Sequence, residues 1–175
     1  MCWSGQFIHD FCRFYLRRVE KLFILDVHTG LGPKNVGTIL SPLTSKETPG
    51  ADRVKKWFGE KEVNFPNAKD NNISGAVCGD ILSAITRWLP KTEVTPIALE
   101  MGTTSPLVSF PAKVGKMWMR NHPDKIHLID PKLVDKIRED YRLTFAPIDN
   151  KVWMKALCAR FFSIINIAIK RLSKV

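Results

Sequence analysis

The stretch "LFILDVHTGLGPK", residues 22–34, constrains the chain more than any other. Leu22 to Val27 form an apolar run interrupted only by Asp26. Its length and composition predict a buried strand. Gly30, Gly32 and Pro33 then force a turn. Side chains two apart on a strand share a face, so Asp26 and His28 point to one side near the strand's carboxyl end. A hydrogen-bonded polar strand end accounts for this pattern, and so does a catalytic or metal-binding rim.

A second segment has the same design. "TEVTPIALEMGTT" predicts a strand over Val94–Glu100 that ends at Gly102. "VGTILSP" (36–42) predicts a short third strand. Helical periodicity appears over 6–22, over Ala51–Phe58 with Gly59 as its stop, and over 75–89 after a polar loop at 63–75. It returns over 110–121, over 131–145 behind an Asp130 N-cap, and over 149–173. Strands alternating with helices predict an α/β domain with a short mixed, partly parallel sheet and a helical C-terminal part. The 175 residues suffice for one core. Open α/β sheets bind ligands at the carboxyl ends of their strands. If the two main strands are parallel neighbours, His28 and Glu100 converge there. Imidazole is the commonest metal ligand, and a carboxylate beside it can serve as a general base.

Several function classes recede on composition. The net charge is +10, but the basic residues are spread along the chain without a run of five. No nucleic-acid motif occurs, so no nucleic-acid partner is expected. Arg13, Arg17 and Arg18 read as a solvated helix face. The longest uninterrupted apolar run, "FFSIINIAI", is shorter than the roughly 20 residues that span a bilayer, and a membrane is not expected as a partner. The four cysteines form no C-x-x-C pair. They read as thiols of a reducing, cytoplasmic compartment. His122 and His127 read as solvated loop residues.

"LDVHTGLGP" followed by "LEMGT" resembles the zinc carboxypeptidase superfamily, and within it a bacterial carboxypeptidase-like branch. It is similar, more distantly, to the succinylglutamate desuccinylase and aspartoacylase group. Trp57–Phe58–Gly59 and Trp153 extend the likeness, which runs from about Val19 to the C-terminus. The resemblance implies a three-layer α/β domain. It implies His28 as the third zinc ligand and Glu100 as the base that activates a metal-bound water. Asp26 would be a structural partner, with Gly30 and Gly32 carrying the turn past the site. Zinc is the cofactor of the intact family, and a peptide or acyl-amino acid its substrate. The family's first two ligands come from an H-x-x-E segment ahead of the "HTG" strand. Here His9 is followed by Asp10, Phe11 and Cys12, and no H-x-x-E occurs. The expectation is that residues 1–175 form a single partial domain, its N-terminal metal-binding part missing. Alone it would hold zinc weakly or not at all and would not hydrolyse amides. Two alternatives stand beside this one: a site completed by a complementary second chain, and a basic binding or membrane-surface protein whose 149–173 helix lies on its partner.

Overall fold

The computed structural model describes residues 2–42, 49–65 and 80–173. Helix α1 (Trp3–Phe11) runs into a π-helical turn (Cys12–Leu16), and strand β1 spans Lys21–Thr29. Next come β2 (Gly37–Leu40), α2 (Pro49–Phe58) and the two-residue β3 (Val63–Asn64). Then follow α3 (Ile81–Trp88), β4 (Glu93–Met101), α4 (Pro106–Asn121), α5 (Pro131–Phe145) and α6 (Lys151–Leu172). The expected α/β class holds, with helix predominating.

The four strands form one sheet in the order β1-β4-β2-β3. Hydrogen bonds at the strand ends give the directions. The Glu93 N–H donates to the Glu20 carbonyl (2.7 Å) where β1 and β4 begin, and the Gly30 N–H donates to the Met101 carbonyl (3.1 Å) where they end. The two strands are therefore parallel. β2 starts where β4 stops, since the Gly102 N–H donates to the Val36 carbonyl (3.2 Å), so β2 runs back against β4. β3 is parallel to β2, with Ile39 opposite Val63. The sheet is mixed, as expected.

The chain divides into two compact units. The first comprises Met1–Val27, Thr38–Leu99 and Arg160–Val175. Within it the alternation of strand side chains separates two layers of helix. Leu22, Ile24 and Val94 pack with Ile8, Cys12 and Leu16 and with Ile85 and Leu89 of α3. Phe23, on the opposite parity, packs its ring against Trp57 and Phe58 of α2. Arg53 of α2 ties that helix to β4, donating to the Val94 carbonyl (2.6 Å) and to Thr95 Oγ1 (3.2 Å). The second unit comprises His28–Gly37 and Glu100–Ala159. Here α4 and α5 pack together, and Gly115 makes room for Ile137: a Cβ at Gly115 would come within 2.9 Å of that side chain.

The structure adjusts several expected elements. The opening helix ends at Leu16 rather than at 22, because Lys21 and Leu22 already belong to β1. β1 is not a buried strand. It lies at one edge of the sheet, and none of its residues is buried. The polar loop from 63 begins with β3, and residues 66–79, including the first turn expected for the 75–89 helix, lie outside the described residues. The Asp80 side chain caps α3 by accepting from the Ser83 N–H (2.8 Å). α4 begins at Pro106, four residues early, since proline suits a first helical turn. Pro123–Leu128 forms a 3-10 turn where a loop was expected. The Asp130 cap on α5 is present, accepting from the Lys132 N–H (2.9 Å). Asn150 caps α6 through the N–H groups of Val152 and Trp153. By length and composition α6 could cross a membrane, which its longest apolar run alone did not indicate. Its Trp153, Ile164 and Ala168 are buried within the protein.

Candidate functional site

The second unit contains both residues singled out in the sequence. His28 is the penultimate residue of β1, and Glu100 is the penultimate residue of β4. In a parallel ladder, an N–H bonds the carbonyl of the residue just before its partner. The bond from Gly30 to Met101 thus sets Gly30 opposite Gly102, and His28 opposite Glu100. The bond from Glu93 to Glu20 gives the same offset at the other end, so the register carries no bulge. Paired residues on neighbouring strands share a face, with backbones about 4.8 Å apart. Their surroundings differ. Glu100 is 5% exposed, whereas His28 is an exposed residue.

The turn after β1 folds back over this pair of strand ends. Gly30 (φ 112°) and Gly32 (φ 87°) adopt left-handed conformations that favour glycine, and Asn35 (φ 62°) joins them. The Leu31 N–H donates to Glu100 Oε1 at 3.0 Å, which fixes the carboxylate's orientation. Gly102 is the hub of the arrangement. Its carbonyl accepts from the Asn35 N–H (3.1 Å) and from Trp153 Nε1 (2.9 Å). A Cβ at Gly102 would stand 2.0 Å from the Pro33 carbonyl oxygen, so no other residue fits under the turn. The end of α5 seats both strand ends: Thr29 Oγ1 donates to the Phe145 carbonyl, and Thr103 Oγ1 to the Thr144 carbonyl.

A model of the family described as "Protein of unknown function (DUF2817)" matches residues 1–160, which include both strand ends and the turn. The chain belongs to this family. No curated protein matches it, and no solved structure does.

Other candidates of this DUF2817 chain have surroundings of their own. Asp26 falls in the first unit and is half-buried. His9, also in the first unit, bonds Asp10 (3.1 Å) and meets Trp88 edge-on. His122 packs against Trp118, and His127 is exposed in the 3-10 turn. Of the thiols, Cys2 and Cys158 are exposed and Cys12 is buried, which pushes its pKa up. Cys78 lies outside the described residues. Among the described residues, no group of three or more His, Cys, Asp or Glu side chains could hold a metal ion.

Sequence reasoning missed the residues that build the turn. Leu31 contributes a backbone amide, which no side-chain pattern marks. Thr103 closes the "LEMGT" segment, but its partner Thr144 lies 41 positions on and carries no motif of its own. Trp153 stood out as a family likeness, but its bond to Gly102 was not legible. A glycine directly after "LEM", matched by a tryptophan at a helix start, was the available signal.

Proposed function

We propose that this DUF2817 chain carries the strand-end part of a carboxypeptidase-like zinc hydrolase site, with His28 as one metal ligand and Glu100 as the general base. The substrate class is an amide: a peptide or an acyl-amino acid. The observation that supports this reading is the pairing of His28 with Glu100 at the carboxyl ends of neighbouring parallel strands, where open α/β sheets bind their ligands. The buried position of Glu100, oriented by the Leu31 amide, suits a base that must be held in one place.

The donors among the described residues do not fit a catalytic zinc ion by themselves. Such a site takes three protein ligands and keeps one position open. Here one imidazole stands beside one carboxylate, and that carboxylate already accepts a backbone amide. We expect the chain by itself to hold zinc weakly or not at all and not to hydrolyse amides. A further polypeptide segment bearing H-x-x-E, encoded upstream or on another chain, would complete the donor set.

The test is reconstitution. DNA upstream of Met1 is sequenced, and the chain is produced with and without any H-x-x-E segment found there. The extended protein is expected to retain one zinc per chain after dialysis and to hydrolyse an acyl-amino acid. His28→Ala should release the metal, and Glu100→Gln should keep it while abolishing turnover. An extended protein whose zinc is indifferent to His28→Ala would overturn the assignment.

A further inference from the structure

The first helix presents three kinds of side chain in three sectors, and only one of them is used by the fold. Ile8, Cys12 and Leu16 turn inward and pack against Ile85 and Leu89. Trp3, Phe7, Phe11, Phe14 and Tyr15 turn outward, between 45% and 83% exposed. Trp3 stacks on Phe7 with ring centres 6.3 Å apart, and Phe11 meets Tyr15 at 5.2 Å, so four of the rings pair along the element. Arg13, Arg17 and Arg18 border these rings, all exposed, and none forms an ion pair among the described residues. Asp10, the one acid between residues 2 and 19, is engaged by Gln6 (3.0 Å) and His9 (3.1 Å).

Five exposed rings on an element fixed by its opposite side form a patch that soluble proteins seldom leave to water. Its composition points to one occupant. Tryptophan and tyrosine favour the headgroup depth of a bilayer, where an apolar ring and a polar edge are both satisfied. A helix with one apolar face and an arginine border lies in the plane of that interface. Arginine is attracted to anionic lipid, and the whole chain carries a net charge of +10. A second copy is a poorer fit, because a two-fold pairing of this face would bring two sets of three arginines together.

We propose that the outward face of α1 and its π turn docks on bilayers rich in anionic phospholipid, with the five rings at headgroup depth and the three arginines on lipid phosphates. This revises the expectation, drawn from apolar run length, that no membrane is a partner. It also reassigns Arg13, Arg17 and Arg18 from a merely solvated face. The inference does not depend on the hydrolase reading.

Flotation of the intact chain tests it, using vesicles of phosphatidylcholine alone and of phosphatidylcholine mixed with phosphatidylserine. The chain is expected to float only with the phosphatidylserine vesicles and to be released as salt rises. Replacing Arg13, Arg17 and Arg18 together by Gln should lower partitioning about 100-fold. Phe7→Ser with Phe14→Ser should lower it at least about tenfold. Phe110→Ser, on an exposed ring of α4, should leave it unchanged. Circular dichroism of each variant confirms that the helices persist. Equal flotation with phosphatidylcholine alone would overturn the proposal, as would binding indifferent to the arginine replacements. A concentration-dependent dimer abolished by the Phe7 and Phe14 replacements, without vesicle binding, would assign the face to a second copy instead.

Discussion

β1 and β4 lie side by side, run in the same direction and end together, yet they stand in opposite relation to water. Ile97, Leu99 and Met101 of β4 are all 0% exposed. In β1 no residue is buried, and Val27 is 43% exposed. The cause is position in the sheet. β4 has β1 on one side and β2 on the other, whereas β1 has a single strand neighbour. The more continuous apolar run therefore belongs to the less buried strand. The contrast carries into the candidate site, where the carboxylate sits on the protected strand and the imidazole on the open one.

The contrast can be broken most severely at Gly102. Gly102→Ala would drive a methyl group into the Pro33 backbone, and the expected loss is about 4 kcal/mol or more, read by chemical denaturation. A fully stable variant would mean that the turn does not lie on the end of β4. The strands themselves are compared next. Leu99→Ala should cost about 3 kcal/mol, whereas Val27→Ala should cost less than about 1 kcal/mol. Similar losses would erase the distinction between the two strands. Trp153→Phe removes the indole bond to the Gly102 carbonyl but leaves the Asn35 bond, so the expected cost is about 1 kcal/mol.

The smallest effect sets a floor for these comparisons. Glu139 on α5 is held below the usual carboxylate range, first by its hydrogen bonds from Arg142. A depressed folded pKa stabilises the fold above the unfolded value, about 4.3 for glutamate, and that contribution is lost as pH falls through the folded value. Glu139→Gln should therefore lower the neutral plateau slightly, leave stability at low pH unchanged, and so flatten the acid limb between them. The pair is exposed, so the change is small.

What could be read in advance follows the range of the interactions. The Gly-terminated strands, the Asp130 cap, the Gly59 stop and the alternation of Asp26 with His28 are local, and composition marks each of them. The edge position of β1 is not local. It depends on which strand pairs with β4, and an apolar run cannot report that. The register that sets His28 opposite Glu100 is likewise fixed by pairing. The turn was legible as a turn, but its closure on Glu100 depends on a Leu31 amide, and its anchorage depends on Trp153 and Thr144, distant in sequence. The exposed aromatic face of α1 was hidden for a related reason. Its periodicity read as one amphipathic helix, and only the packing of Ile8, Cys12 and Leu16 shows which side is turned inward.

The pairing of His28 with Glu100 is tested most directly by cross-linking the two positions. Cysteines are placed at 28 and 100 in one variant, and at 28 and 101 in another, and each is oxidised mildly and mapped by mass spectrometry. Paired positions share a face at a backbone separation that a disulfide can span, whereas position 101 points to the opposite face. The expected result is a 28–100 linked peptide in the first variant and no 28–101 link in the second. Efficient 28–101 linkage with none between 28 and 100 would contradict the register, and with it the proposal that these two residues act at one site.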